Sequence, residues 1–425
     1  MKASFSVHRR CASPFCGKRW RSVVNTALLS SCLSLYAGTS IAQNPPPGHS
    51  SDPSLEASAV IGASWQSAQQ SLIHRDKGWG LGHSDVSIDA RFAPALRGKL
   101  TMAAHSDHQR IETAIEEAYL DAPALPGGLQ LRVGRFLSQL GYLNESHPHA
   151  DDFVMRPLLH RALLGDHYFD DGLRLNWVAP SSIYWRTGVE LLRGKRLPGH
   201  SSASRSVGAY SVTTRLGADI GRDHGWQIGL GMLRHRSGAQ GTVEEIEHHD
   251  HADEEAHAEE GIQHAEAGLA SLHTHSHGAL YFGRRMTIAE LVWKWAPGGN
   301  SKAQQLRLSA ELARVGDLVG DTLGAGRHSA RYLSVVYRFH PQWEVGARLD
   351  RLSVLSLHEE GYEPARLREH SLALAYKPTH SSALRLQWTT QRDAGGFSPS
   401  TEIAPKQALH LQFIQTLGAH GAHTF

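Results

Sequence analysis

Leu306-Arg307-Leu308-Ser309-Ala310-Glu311-Leu312 alternates apolar and polar side chains, a spacing that in an extended strand sends every apolar group to one face. Val86-Ser87-Ile88-Asp89-Ala90-Arg91-Phe92 and Ala383-Leu384-Arg385-Leu386-Gln387-Trp388-Thr389 repeat the pattern, and similar runs separated by turn residues recur from about residue 55 to residue 417. A soluble β-sandwich also alternates, so the polar face has to decide between the two. That face carries Arg91, Arg132, Arg174, Arg307, Arg348 and Arg385 in mid-strand, with Asp89, Glu190, Glu311 and Asp350 among them. A lipid-facing exterior and a water-filled lumen accommodate such charges, and closure into a barrel gives every backbone group inside the bilayer a partner. The sequence therefore reads as an all-β chain, a transmembrane antiparallel β-barrel. Arg91, Arg132, Arg174, Arg307, Arg348, Arg385, Asp89 and Glu311 are the expected pore-lining residues.

Turn residues give the strand count. Short turns are expected at Pro94–Gly98, Pro123–Gly128, Ala179–Ser182, Gly221–Gly225, Pro297–Lys302, His340–Gln342 and Lys377–Ser381. Longer connections are expected at about 67–82, 107–111, 137–169, 193–204, 237–285, 315–328, 357–365 and 393–405, the second of them only medium in length. Alternation of the two classes implies about 16 strands, within a range of 14–18, and both termini on the short-turn side. Trp177, Trp185, Trp226, Trp295 and Trp343 all lie within a few residues of the short turns, where an interfacial aromatic girdle would sit.

The N-terminus reads as a signal peptide over residues 1–42: Arg9, Arg10, Lys18, Arg19 and Arg21, an apolar stretch from Val23 to Tyr36, then small residues up to Ala42. Residues 43–54 read as a flexible leader and 55–425 as the barrel. Leu29-Ser30-Ser31-Cys32 looks like a lipoprotein box, but apolar Leu33 and Leu35 follow it, and cleavage after Ala42 is preferred. Cys11, Cys16 and Cys32 all fall within the signal, which leaves the mature chain without disulfides or thiolate sites. No later stretch supplies the 18 apolar residues of a membrane helix. A net charge of +2, with Lys and Arg scattered singly, speaks against nucleic acid as a partner. Export without a helical anchor fits the outer membrane of a Gram-negative-type cell, and the terminal Phe425 suits delivery to the outer-membrane assembly machinery.

Residues 137–169 are too rich in specific side chains for a spacer. His147, His149, Asp151, Asp152, Arg156, His160 and Arg161 are the expected constriction residues, and 157–164 suits a short helix with Pro157 at its first turn. Folded into the lumen, such a loop would set charged groups beside every permeating solute. The competing reading is an external loop with solvated charges. Asp151 and Asp152 beside His147 and His149 also suggest a divalent-cation site.

A second candidate metal region lies in the expected external loop 237–285. Between Arg236 and Arg284 there is no Lys or Arg, while His248, His249, His251, His257, His264, His273, His275 and His277 crowd into 244–277 beside many carboxylates. On a helix, His249, Asp253, His257, Glu260 and His264 would share one stripe, and His273, His275 and His277 would share one side of an extended segment. Zinc is the best single guess, in several exchangeable sites, since no four-ligand structural pattern is present. The competing reading is an acidic, ligand-free surface loop.

Glu116-Glu117-Ala118-Tyr119-Leu120, Leu131-Arg132-Val133-Gly134-Arg135-Phe136, Gly141-Tyr142-Leu143-Asn144-Glu145, His147-Pro148-His149, Asp170-Asp171-Gly172 and Trp293-Lys294-Trp295-Ala296-Pro297 resemble outer-membrane porins related to the phosphate-selective porin O/P group. The likeness is to a branch rich in His-Pro-His, with a Gly-Ala-His ending, that is linked with zinc. The resemblance spans most of the mature chain and implies a diffusion channel of sixteen to eighteen strands, able to form a homotrimer. Phosphate selectivity in that group depends on basic pore residues. Here no dense lysine ladder is present and acidic groups are interspersed, so anion choice is not carried over.

Catalysis is not expected: there is no Gly-x-Ser-x-Gly elbow, no His-Glu-x-x-His helix and no evident triad. The alternatives to a porin are a surface metal buffer without permeation and, with less support from motifs, an outer-membrane hydrolase. The short leader leaves no room for a plug domain, which favours diffusion over coupled transport. No cofactor is required, and Zn2+ or another divalent cation would be a ligand or substrate alongside small solutes.

Overall fold

The computed structural model describes residues 53–418, apart from 74, 94, 108–109, 195, 197–206, 237–282, 319–325, 359–360, 394–396 and 398–405. The expected signal peptide, Phe425 and the whole stretch that holds His248, His249, His251, Asp253, His257, His264, His273, His275 and His277 lie outside the described residues.

Seventeen strands occur among the described residues. The first six are β1 (Ser54–Gln66), β2 (Gly78–Leu81), β3 (Ser84–Ala93), β4 (Leu96–Asp107), β5 (Arg110–Leu125) and β6 (Leu129–Leu137). Then follow β7 (Phe169–Val178), β8 (Tyr184–Leu192), β9 (Ala209–Ile220), β10 (His224–His235), β11 (Arg285–Trp295) and β12 (Gln305–Gly316). The last five are β13 (His328–His340), β14 (Trp343–His358), β15 (Gly361–Thr379), β16 (Ser382–Arg392) and β17 (Gln407–Gly418). Each pairs antiparallel with its neighbour, and β17 returns to β1 in a register that sets Ser58 against Gly418 and Gln66 against His410, which closes the barrel.

β2 and β3 share one edge of β1, with Ala63–Gln66 opposite Leu81–Gly78 and Ser54–Val60 opposite Arg91–Asp85. They amount to one stave broken at Gly82 and His83, so the seventeen segments form a closed 16-stranded barrel, as the alternation predicts. The break is held where Gly82 donates to the Gly62 carbonyl at 3.0 Å. A Cβ on Gly62 would meet the His83 carbonyl oxygen at 3.0 Å, so a side chain there would strain this contact.

All seven short turns fall between strands at the expected places. Two of the longer connections are at the expected places but shorter than expected. β4 and β5 are separated by only 108–109, and β14 and β15 by only 359–360. The turn-like residues of 357–365, Pro364 included, belong to a two-stranded ribbon in which Leu355 pairs with Pro364, while β16 reaches β15 no further than Arg368. Among the described residues nothing pairs with that side of β15 beyond this point, so a proline there costs no ladder bond seen among them.

The outer face carries Val86, Leu230, Leu349, Leu372 and Phe413, all well exposed. In a bilayer that surface meets lipid. Trp177 and Trp185 stack edge to face at 5.7 Å on the same surface at the short-turn end, and the Trp177 indole donates to the Gly127 carbonyl at 3.1 Å. Inside, the expected wet lining holds only in part. At the long-connection end Ala313, Val315, Leu352, Val354 and Leu367 are buried inner-face residues, packed beneath a short helix, α1 (Leu158–Leu163), through Leu158, Leu159, Ala162 and Leu163. The helix turned this part of the inner wall apolar, because a loop that enters a barrel needs an apolar seat.

Candidate functional site

The segment between β6 and β7 folds back into the barrel. α1 packs against β12, β13 and β14, and its polar side chains bind carboxylates of the same stretch of wall, on β12 and β15. His160 bonds Glu311 at 2.6 Å, and Glu311 also accepts from the backbone N–H of Tyr142. Arg161 donates to Glu369 at 2.5 Å. Arg348 donates to Asp350 at 2.7 Å and Glu369 at 3.1 Å, and to the Met155 carbonyl at 2.6 Å. Asp350 in turn accepts from the Leu158 N–H at 3.0 Å. These groups are almost wholly buried, where an unpaired charge is costly and a paired, hydrogen-bonded one is tolerated.

Asp151 and Asp152 do not join His147 and His149, contrary to the expected cation site. Asp151 is bound by Arg156 at 2.7 Å, and Arg156 also donates to the carbonyls of Leu143 and Asp166, which folds the loop on itself. Asp152 pairs with Arg307 across the lumen. Arginine competes well here because its planar fork meets carboxylate and carbonyl oxygens together. Among the other expected lining residues, Arg132 lies 3.8 Å over the Tyr119 ring and 3.1 Å from Asp121, and Arg174 bonds Glu190 at 2.7 Å. Arg385 donates to Gln412 at 2.9 Å and to the His149 carbonyl at 3.0 Å. Asp89 and Arg91 share the inner face of β3 with buried Asp85 and Ser87.

Glu145 of the same loop lies between Arg186, at 2.6 Å, and Arg215. Burial opposes its charge, but the two guanidinium groups hold its carboxyl down at about 2.

His147 and His149 meet a set of side chains that sequence reasoning missed. A β-bulge sets Thr101 opposite Glu117 and Met102 opposite Ile115, leaving Glu116 as the extra residue on β5. Both carboxylates consequently face inward and are buried. His147 lies 2.9 Å from Glu116 through Nδ1 and 3.0 Å from Glu117 through Nε2. His167 bonds Glu116 at 2.8 Å, and His149 lies 2.9 Å from Asp85. The break between β2 and β3 brings in His83, 3.6 Å from Glu116 and 3.9 Å from Asp85. Desolvation opposes the charge on His147, but the carboxylates of Glu116 and Glu117 beside it carry its imidazole up to about 10. The one sequence signal of this arrangement is the adjacent Glu116-Glu117 pair, which interrupts strict alternation inside a strand.

At the short-turn end of the lumen the partly accessible side chains are mainly cationic. Lys99, Arg132, Arg307, Arg338 and Lys377 keep between 21% and 27% of their side-chain surface, with Asp121, Asp152 and Glu344 between them.

No family model matches the chain. A relative from Aquifex aeolicus (strain VF5), described as an uncharacterized protein, is 24% identical over 370 residues, which cover 83% of this chain and 71% of that one. Among solved structures, OprB of Pseudomonas putida superposes with a TM-score of 0.52 at 10% identity, over 86% of this chain and 94% of OprB. The outer membrane channel DcaP of Acinetobacter baumannii gives 0.51 at 9% identity, over 86% and 97%. The trimer form of OmpT, an outer membrane protein of Vibrio cholerae, gives 0.50 at 10% identity, over 86% and 99%. At these identities the likeness concerns the fold, and the chain has the closed, porin-like barrel of outer-membrane proteins.

Proposed function

We propose that this protein is an outer-membrane porin through which small hydrophilic solutes or ions diffuse passively. The observation that carries the reading is a closed barrel of 16 staves with an apolar outer belt and an ionised interior, crossed by a loop that narrows the path. A closed barrel needs the belt only if lipid surrounds it, and needs interior charge only if water enters. The cationic groups at the short-turn mouth favour anions on their approach. The resemblance to the phosphate-selective porin O/P group and its His-rich branch supports the same reading, as does the assignment of residues 1–42 to an export signal. Assembly as a homotrimer is part of the proposal, supported by the trimer form of a structural neighbour. The barrel is read as a channel and not as an enzyme.

A second element of the proposal is capture of divalent metal, best zinc, by the histidines of 244–277, supported by eight imidazoles among carboxylates without one Lys or Arg between Arg236 and Arg284. Single-channel recording in planar bilayers, with and without Zn2+, tests both elements. Discrete open-channel steps are expected, and a barrel that never conducts would defeat the porin reading. Zn2+ titrations that do not change on deletion of 244–277 would defeat the capture reading.

A further inference from the structure

We infer that the inner wall of the barrel holds a buried site for one first-row divalent cation, of the zinc class, which fastens the inward loop to β3 and β5. Its ligands are His83, Asp85, Glu116 and His147. His83 comes from the break before β3, Asp85 from β3, Glu116 from the β5 bulge and His147 from the loop, so four separate stretches of chain would meet on one ion. This site is distinct from the histidines of 244–277 and does not depend on the channel reading.

Two overlapping triads of ligand atoms, with His83 in both, are close enough together to take an ion. Metal–ligand bonds of about 2.1 Å put neighbouring ligand atoms about 3.0 Å apart in an octahedral shell and about 3.4 Å apart in a tetrahedral one. Here His147 Nδ1 is 2.9 Å from Glu116 Oε2, His83 Nε2 is 3.6 Å from the same oxygen, and His83 Nε2 is 3.9 Å from Asp85 Oδ2. The facing atoms of His83, Asp85 and His147 all fall within 4.8 Å of one another, as do those of His83, Glu116 and His167. Two imidazoles and two carboxylates make a donor set suited to zinc, cobalt or nickel more than to calcium or magnesium.

An independent observation points into the same spot. His83 Nε2, Asp85 Oδ2, Glu116 Oε2 and His147 Nδ1 are buried atoms without a hydrogen bond of acceptable geometry, and the side chains of Asp85 and Glu116 are each 2% exposed. Close approach without bond alignment is unfavourable for polar groups deprived of water, and a cation at their centre relieves it. The surroundings also hold the ligands in place: His167 binds the other oxygen of Glu116 at 2.8 Å, and His147 Nε2 binds Glu117 at 3.0 Å. Such outer bonds orient metal ligands and tune their basicity.

The test uses full-length protein folded in detergent, stripped with chelator and titrated with Zn2+, followed by hydrogen–deuterium exchange of the loop and by native mass spectrometry. Zn2+ should slow exchange around residues 143–150 in the wild type and in a control carrying His248→Gln, His249→Gln and His251→Gln. His83→Gln and Glu116→Gln should each hold one ion fewer at the same free Zn2+, bind at the barrel at least about tenfold more weakly, and lose the slowed exchange. If Glu116→Gln fails to fold, His83→Gln decides alone, since its ring accepts no hydrogen bond at Nε2. Equal ion counts and equal exchange in wild type and a folded His83→Gln protein would overturn the site, as would slowing confined to 244–277. A channel that conducts normally in the same preparation would leave the porin reading standing.

Discussion

His147 of the inward loop touches two carboxylates that are neighbours in the chain, Glu116 at 2.9 Å and Glu117 at 3.0 Å. In a regular strand one of the two would point to lipid. The bulge on β5 spares the membrane that charge and presents both carboxylates to the loop. The loop is thus seated by a defect in the wall as much as by the apolar packing of α1.

His147→Ala should therefore destabilise the folded barrel. Two buried carboxylates would lose the imidazole they share, a loss of about 3 kcal/mol, at the low end for a broken buried pair because His167 remains 2.8 Å from Glu116 and Lys99 3.3 Å from Glu117. Urea unfolding in detergent measures it. Adding Glu117→Gln to the same chain should return part of the lost stability, and an unchanged midpoint in the single variant would show that the pair contributes nothing.

Gly141 turns the chain into the barrel at φ +82°, in the left-handed region. A Cβ there would lie 2.6 Å from Oε1 of Glu311 and 2.8 Å from Cδ1 of Ile288, so Gly141→Ala strains the backbone and displaces the carboxylate that holds His160. The left-handed strain alone is about 1–2 kcal/mol. Limited proteolysis of the folded protein should cut within 138–168 at least about fivefold faster, since cleavage follows the population of the released loop. Equal rates would mean that the loop does not depend on this turn.

Much of this was legible in the sequence. Alternation like that of 306–312 defined the staves, the tryptophans marked the short-turn rim, and Pro157 with the apolar run behind it announced α1. The partners were less legible. His147 and His149 stood out by type, but their nearest acidic residues in sequence, Asp151 and Asp152, are taken by Arg156 and Arg307. Their real neighbours arrive through strand pairing and two local irregularities, the break at His83 and the bulge at Glu116, and sequence periodicity describes regular strands only. The ribbon of β14 and β15 was misread for the opposite reason: Gly361 and Pro364 carry turn chemistry, yet they extend a hairpin beyond the sheet's other neighbours.

Acid should release the loop at Glu145. Its carboxyl faces Arg186 on β8 and Arg215 on β9, with Arg174 on β7 and Glu290 on β11 nearby, and it is held at about 2 against an ordinary value near 4.3. A depressed carboxylate stabilises the fold above its ordinary value and ceases to do so as pH falls through about 2. Exchange of residues 143–146 should accelerate between about pH 4 and pH 2 in the wild type. In Glu145→Gln the same region should exchange fast already at pH 7, with no further change over that interval. A wild-type profile that is flat across it would remove Glu145 from the loop's anchoring.

Charge at the short-turn mouth should set ion preference. Lys377 bonds Glu344 at 2.6 Å, and Arg338 bonds the same carboxylate, so the group is a cationic pair around one acid. Lys377→Glu changes the local charge by two units. At a distance of about 10 Å in water-like surroundings this is worth about 0.8 kcal/mol to each ion, of opposite sign for anion and cation, which is roughly a fourfold change in the permeability of each. Reversal potentials across a salt gradient should shift toward cation preference at about 10 mM salt and the shift should shrink at about 1 M, where screening is complete within a few ångströms. Arg132→Glu, on the opposite side of the lumen beside Asp121, should act in the same direction. Identical reversal potentials in wild type and both variants would show that solutes do not pass these side chains.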